Sequence, residues 1–292
     1  MATFLYLMKI IPKNLSSYFC GRLVSISFPK PVQDIINLMF IKFFKIDITE
    51  AEKELKEYSS IQDVFTRKLK NNSRNIAPFF CSPCDGTLNH CGSFTEDTLL
   101  QVKGIHYSVS NLLFGEKKPS SESIKSGWYA SIYLAPHNYH RVHSPVSGEL
   151  LEITHITGTL WPVNSYFLKN IPQLYTVNER LIFKLKTEKN TTTYIVMIGA
   201  FNVGRIRSLV GTEVITNSTL RTSDGKKHHK ITLKDSISVL CGDELGVFML
   251  GSSVVVICDE KLSKIHSLLK RDSKKTIRLG ETFIENNESL EI

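Results

Sequence analysis

The apolar positions of this chain change their period near residue 78. Upstream they recur at helical spacing, and downstream they fall into short β-branched runs separated by Gly, Pro, Ser and Asn. The clearest helical stretch is 32–45. Lys30, Gln33, Asp34, Asn37 and Lys45 share one narrow polar face, while Val32, Ile35, Ile36, Met39, Phe40, Phe43 and Phe44 cover the rest. Pro29 and Pro31 mark its start, because a first helical turn tolerates proline. A stripe this wide suits either a core helix or one lying on a membrane surface. Thr49 as an N-cap, with Glu50, Glu52, Glu54 and Glu57 behind it, predicts a solvated polar helix over 50–58. A second short helix is expected over 60–69.

Strands are expected at 99–102, 129–134, 148–153, 180–185, 192–198, 203–206 and 254–257. The polar stretch 222–230, with Asp224-Gly225 and His228-His229, reads as an exposed loop. Residues 259–292 are helix-prone near 261–270 and then fade into a loosely held acidic tail. The expected class is α+β: amino-terminal amphipathic helices over 1–70 that associate with a membrane, a β-rich catalytic domain over 71–258, and a carboxy-terminal helix and tail over 259–292.

Charge favours the membrane alternative for the amino-terminal helices. The formal net charge of +8 is modest but uneven, since residues 1–45 hold Lys9, Lys13, Arg22, Lys30, Lys42 and Lys45 against one acid, Asp34. A basic apolar segment suits an anionic lipid surface better than a nucleic-acid groove. The first residues lack the positive region and small-residue cleavage site of an export signal, and Lys42 interrupts the apolar run at 38–44. No run reaches the roughly 18 apolar residues that span a bilayer. The expectation is a peripheral protein on the cytoplasmic face of the cell membrane. Six cysteines in 292 residues are too sparse for a disulfide scaffold and read as reduced thiols. Cys81-Ser82-Pro83-Cys84, followed by His90-Cys91, raises a zinc or redox site but lacks a convincing second ligand pair.

Three stretches couple a reactive side chain to turn formers. Ser82-Pro83-Cys84-Asp85-Gly86 holds an acid in a Pro/Gly turn, although an ordinary turn aspartate reads the same way. Ala135-Pro136-His137-Asn138-Tyr139-His140-Arg141-Val142-His143-Ser144-Pro145 sets three histidines at spacing three. Leu250-Gly251-Ser252-Ser253 leads into the run 254–257 and also reads as a hairpin turn entering a core strand. An aspartate, a histidine and a serine invite a triad. With no G-x-S-x-G turn, the serine's alternative target is its own preceding peptide bond, where glycine at 251 leaves room for attack.

These pieces occur with Val102-Lys103-Gly104, Leu160-Trp161-Pro162-Val163-Asn164, Asn178-Glu179-Arg180, Gly199-Ala200, Asn202-Val203-Gly204 and Gly242-Asp243-Glu244-Leu245-Gly246. Over residues 60–258 their order resembles that of the phosphatidylserine decarboxylases. Ser253 stands where that family more often has threonine, and Cys84 and Cys241 replace residues usual in it. The resemblance implies that Asp85 orients His143, that His143 activates Ser252, and that the chain cuts itself between Gly251 and Ser252. The products would be a β chain of 1–251 and an α chain of 252–292, a heterodimer with higher assembly left open. It further implies a pyruvoyl cofactor derived from Ser252, acting as an electron sink in converting phosphatidylserine to phosphatidylethanolamine. His143 or His140 would return the proton, with His140 as a contact to the substrate carboxylate; Arg141 would serve either the headgroup phosphate or a structural carboxylate. No metal and no nucleic acid is implied. Two other readings stay open: a zinc-dependent hydrolase using His137, His140 and His143, and a non-catalytic lipid-binding module.

Overall fold

The computed structural model describes residues 2–78, 80–95, 97–101, 105–115, 124–202, 205–217, 228–249, 252–259 and 275–283. Helices α1 (Ala2–Ile10), α2 (Lys13–Val24), α3 (Lys30–Phe44) and α4 (Ile61–Phe65) come first. They are followed by β1 (Gly86–Thr95), β2 (Thr98–Gln101), β3 (Ile105–Ser108), α5 (Val109–Phe114), β4 (Ser126–Leu134), β5 (Arg141–His143) and β6 (Gly148–Ile156). Then come α6 (Ser165–Asn170), α7 (Leu174–Val177), β7 (Arg180–Lys186), β8 (Thr192–Ile198), β9 (Ile206–Ser208), β10 (His228–Val239), β11 (Glu244–Phe248), β12 (Ser252–Cys258) and β13 (Lys275–Ile277). The class is α+β, with the helices leading, as the periodicity indicated.

The large antiparallel sheet runs β10-β6-β7-β8-β12-β4-β1-β2-β3, with β13 added on β1; β5, β11 and β9 make a second, three-stranded sheet. Strand β12 lies in the middle of the large sheet. Its Val254 and Val256 pack on one face with Val142, Ile206, Leu245 and Phe248 from the small sheet. Val255 and Ile257 pack on the other face with Leu112, Phe167 and Leu174 from α5, α6 and α7. A strand covered on both sides needs an unbroken apolar run, and that is why 254–257 shows no polar alternation.

Helix α3 turns Gln33 and Asn37 of its polar stripe inward with Ile41, while Lys30 and Lys45 stay exposed. Gln33 and Asn37 are 2% and 0% exposed, whereas Ile35, Met39 and Phe43 are 60%, 66% and 79% exposed. The buried amides are satisfied: Gln33 Nε2 donates to Asn37 Oδ1 (2.7 Å), and Asn37 Nδ2 donates to the Tyr58 carbonyl (3.0 Å). Pairing removes the cost of burying them and leaves the apolar face free for something other than this chain's core. Among the described residues, no helix is long and apolar enough to cross a membrane.

Several expectations change. Residues 50–58 do not form an α-helix; Ala51 bridges Leu69, and only a 3₁₀ turn, Leu55–Glu57, forms behind a Glu54/Glu57 capping box. Tyr58 is buried at its end. Thr49 caps nothing there, and Asp47 Oδ1 accepts from both its N–H and its hydroxyl. Four like-charged glutamates in a short helix repel one another, and the Ala51–Leu69 pairing instead holds the chain extended. The helix expected over 60–69 stops at Phe65. His228 and His229 stand in β10 opposite Ile156 and His155; residues 222–227 of the expected loop lie outside the described residues. So does the expected helix at 261–270. The tail is not loose throughout: β13 pairs with β1 through Gly86 and Ile277, and Ile277 and Phe283 are buried.

Candidate active site

The segments 134–143 and 244–252 run antiparallel across two sheets. In the small sheet Glu244 pairs with His143, and Phe248 N–H donates to the His140 carbonyl (3.0 Å). In the large sheet Ser252 pairs with Leu134. Phe248 thus ends a strand of the small sheet and Ser252 begins a strand of the large one. Leu250, Gly251 and the side chain of Ser252 lie outside the described residues. The peptide bond singled out from the sequence is the one that immediately precedes β12.

His143 is buried, and its ring is held at both nitrogens. Nδ1 donates to the Gly242 carbonyl (2.6 Å), and Nε2 meets the Tyr139 hydroxyl (3.0 Å). A carbonyl can only accept, so the proton of the neutral ring sits on Nδ1 and leaves Nε2 as the basic nitrogen. Burial pulls the imidazole pKa below its ordinary value, against the Gly242 bond, which pushes it up. The ring is therefore neutral near pH 7, as a general base must be.

Asp85 sits close by but is bonded elsewhere. The His143 N–H donates to the Pro83 carbonyl (2.8 Å), bringing the 83–85 turn alongside β5. The Asp85 carboxylate accepts from Arg74 Nη2 (2.7 Å), Arg74 Nε (3.3 Å) and the Leu279 N–H (2.8 Å). Arg74 also reaches Glu50 (2.8 Å). No hydrogen bond joins Asp85 to His143 among the described residues; the position expected for the aspartate is taken by the Gly242 carbonyl. The carboxylate acts on the imidazole through space, favouring its protonated form.

Residues 61–285 match the family described as phosphatidylserine decarboxylase. The chain belongs to that family. It is 33% identical over 274 residues to the phosphatidylserine decarboxylase proenzyme of Helicobacter pylori strain ATCC 700392 / 26695, covering 93% of this chain and 97% of that one. To the proenzyme of Campylobacter jejuni subsp. jejuni it is 35% identical over 252 residues, covering 85% and 91%. To that of Myxococcus xanthus it is 33% identical over 282 residues, covering 96% of each.

In this decarboxylase-family chain the histidine stretch does not converge on a point. His137 is exposed. His140 is fully buried, donates Nδ1–H to the Asn138 carbonyl (2.8 Å) and lies against the Phe65 ring, with centroids 3.8 Å apart. Its Nε2 is buried without a partner. Burial first, and then the Arg67 charge, hold its pKa well below the ordinary value. Among the described residues, no group of three His, Cys, Asp or Glu side chains could hold a metal. Arg141 resolves its two readings in favour of a carboxylate: it bonds Glu244 Oε2 (2.6 Å) and the Thr66 carbonyl (3.0 Å).

A cavity of about 380 Å³ opens beside the start of β12, lined by Phe65, Tyr133, Leu134, Pro136, Ala200 and Phe201 among others. Phe40 and Phe44 of α3 and Cys20 and Val24 of α2 close its far side, so the amino-terminal helices complete a pocket that the sheets alone leave open.

Two arginines that no sequence motif marks help to build the site. Arg67 is buried and donates to the His137 and Asn138 carbonyls (3.2 and 3.3 Å), while its Nε and Nη1 find no partner. Arg74 is the counter-ion of Asp85. Arg67 precedes Lys68 in a short predicted helix and Arg74 lies in the polar run Lys70-Asn71-Asn72-Ser73-Arg74-Asn75, so both read as solvated cations and nothing local marks them as buried. Arg180, quoted within a family motif, is a structural clamp: it donates to the carbonyls of Asn111, Leu112, Thr176 and Asn178.

Proposed function

We propose that this protein converts phosphatidylserine to phosphatidylethanolamine, using a pyruvoyl group made by cutting its own chain between Gly251 and Ser252. The observation that supports this most directly is the change of sheet between Phe248, paired to His140, and Ser252, paired to Leu134, with a neutral buried His143 on the neighbouring strand.

Self-processing uses this chain's own atoms. His143 Nε2 takes the Ser252 hydroxyl proton, the oxygen attacks the Gly251 carbonyl, and the amide becomes an ester. Loss of the Ser252 α proton eliminates the ester and frees the upstream piece with a carboxylate at Gly251. Water then hydrolyses the remaining imine, ammonia leaves, and a ketone heads the downstream piece. The two products, 1–251 and 252–292, stay together because β12 lies between β8 and β4, and β13 lies on β1. Leu279 of the downstream piece also keeps its bond to Asp85.

The setting fits such a group: β12 begins beside the apolar cavity, and His140 presents a buried nitrogen with no partner against Phe65 of the cavity wall. The pyruvoyl carbonyl supplies an electron sink for the pair released as carbon dioxide leaves. His140, neutral and free at Nε2, contacts the substrate carboxylate or returns the proton at the carbon that lost it. The cavity wall excludes water from that carbon. The exposed apolar face of α3, with Lys30, Lys42 and Lys45 at its ends, rests on an anionic leaflet on the cytoplasmic side.

The zinc hydrolase loses its support because the three histidines face different partners. A non-catalytic lipid-binding module would use the same amino-terminal helices. Intact mass measurement of purified protein, paired with lipid analysis of phosphatidylserine vesicles, separates them. Two pieces, the smaller blocked to Edman degradation, together with phosphatidylethanolamine, are expected. Fully active protein with the mass of the unbroken chain would overturn the proposal.

A further inference from the structure

Two thiols far apart in sequence meet next to the His143 turn. Cys81 Sγ lies 3.3 Å from Cys241 Sγ, and both are free cysteines. The Cys81-Ser82-Pro83-Cys84 spacing pointed to a pair that the fold does not make. Cys84 is buried in the core with Trp128 and Ile132, while Cys81 turns the other way, toward Cys241. Both are anchored to the strand exit that follows His143. Cys81 N–H donates to the Pro145 carbonyl (3.0 Å), Cys241 N–H donates to Ser147 Oγ (2.9 Å), and Cys241 Sγ itself reaches the Pro145 carbonyl (3.3 Å). The two sulfurs are thus held 3.3 Å apart, against about 2.05 Å for a disulfide bond.

We propose that Cys81 and Cys241 form a redox pair that peroxide-class oxidants close to a disulfide, tying the turn at 240–243 to the segment at 77–82. Cys241 is the half-buried partner and the one a peroxide can reach; Cys81 is fully buried. Either sulfur can donate across the pair, and the Cys241 S–H also lies against the Pro145 and Ala77 carbonyls (3.3 and 3.4 Å), so the attacking species is the Cys241 thiolate formed when that proton leaves to solvent. The Cys241 thiolate attacks one peroxide oxygen, the O–O bond breaks, and after proton uptake a sulfenic acid and one water result. The Cys81 sulfur then attacks the Cys241 sulfur, the S–O bond breaks, and the second water leaves with the Cys81 proton. Two electrons and two protons have passed from the thiols to the peroxide.

The bridge would pin the residue next to Gly242, whose carbonyl holds the His143 ring. On the self-cutting reading, it would also fasten the large piece close to its new end at Gly251. That last consequence rests on the proposed function; the disulfide does not.

The test treats reduced, full-length protein with hydrogen peroxide, blocks free thiols with an alkylating agent, and maps unreduced peptides by mass. The expected result is one cross-linked peptide pair joining residues 81 and 241, four alkylated cysteines out of six, and reversal by dithiothreitol. Cys241→Ser should abolish the cross-link and Cys84→Ser should leave it intact. The uncut Ser252→Ala protein should form the same bridge, so a missing bridge and a missing cut are read separately. Alkylated Cys81 and Cys241 peptides after peroxide, or a bridge through Cys84 instead, would overturn the proposal.

Discussion

His143 Nδ1 donates its proton to the carbonyl of Gly242 at 2.6 Å, from a turn in which Gly242 holds φ at +94°. A side chain there is strained in conformation, and an added Cβ would lie 3.1 Å from Ile76. Gly242→Ala should cost about 1–2 kcal/mol of stability and slow chain cutting by rotating the carbonyl away from the imidazole. Following the two pieces by electrophoresis over time checks it. Cutting at the normal rate in a variant that retains its fold would mean that the Gly242 carbonyl does not orient the base, and His143→Ala should not cut at all.

Asp85 and Arg74 form a buried ion pair, and removing one member of such a pair typically costs about 3–5 kcal/mol. Asp85→Asn should therefore lower the melting temperature. Because the carboxylate also favours protonation of His143, the pH profile of cutting should move toward lower pH in this variant. Arg74→Met should destabilise comparably. An unchanged profile in folded Asp85→Asn protein would confine Asp85 to a structural role.

Acid should destabilise the protein through its histidines. Burial lowers the folded-state pKa of both His140 and His143 below 6.5, so the unfolded chain binds more protons as pH falls. Their stabilising contribution is complete above pH 6.5 and is lost progressively as the pH drops below it. Melting temperatures measured from about pH 7.5 to about pH 5, a range that spans the ordinary histidine pKa, should fall for the parent protein and fall less for His140→Gln. Parallel curves would remove His140 from this effect.

Cutting and turnover should separate by residue. Ser252→Ala should remain one uncut, inactive chain. His140→Gln should cut normally yet lose about 100-fold or more in decarboxylation, the scale of a lost proton-transfer group. Normal cutting in Ser252→Ala would misplace the break, and full turnover in His140→Gln would dismiss its proposed role.

The inverted α3 predicts opposite effects from its two faces. Ile35→Asp with Phe43→Asp should reduce sedimentation with anionic vesicles by about tenfold or more, since each buried apolar side chain contributes roughly 1.5–3 kcal/mol, while leaving the melting temperature intact. Asn37→Leu should lower the melting temperature by stranding the Tyr58 carbonyl and the Gln33 amide. Undiminished vesicle binding by the double aspartate variant would place the membrane surface elsewhere.

Much of this was legible in the residues themselves. The all-apolar run 254–257 identified a strand buried on both faces, because local hydrophobicity reports burial directly. The Asp85, His140, His143 and Ser252 stretches stood out as candidates because turn formers lie beside reactive groups. Orientation was less legible: the polar stripe of α3 predicts its helix, but not that Gln33 and Asn37 turn inward, since that depends on the Tyr58 carbonyl arriving from another segment.

The linear chain determined the α+β class, the doubly buried strand over 254–257 and which family it belongs to, because those properties reside in neighbouring residues and their order. Only the tertiary structure decided that His143 leans on Gly242 rather than Asp85, that Asp85 answers to Arg74 and Leu279, and that Cys81 meets Cys241 rather than Cys84. Hydrogen bonds and thiol contacts act over about 3 Å, and which groups come that close is set by how the sheets cross, not by their separation along the chain.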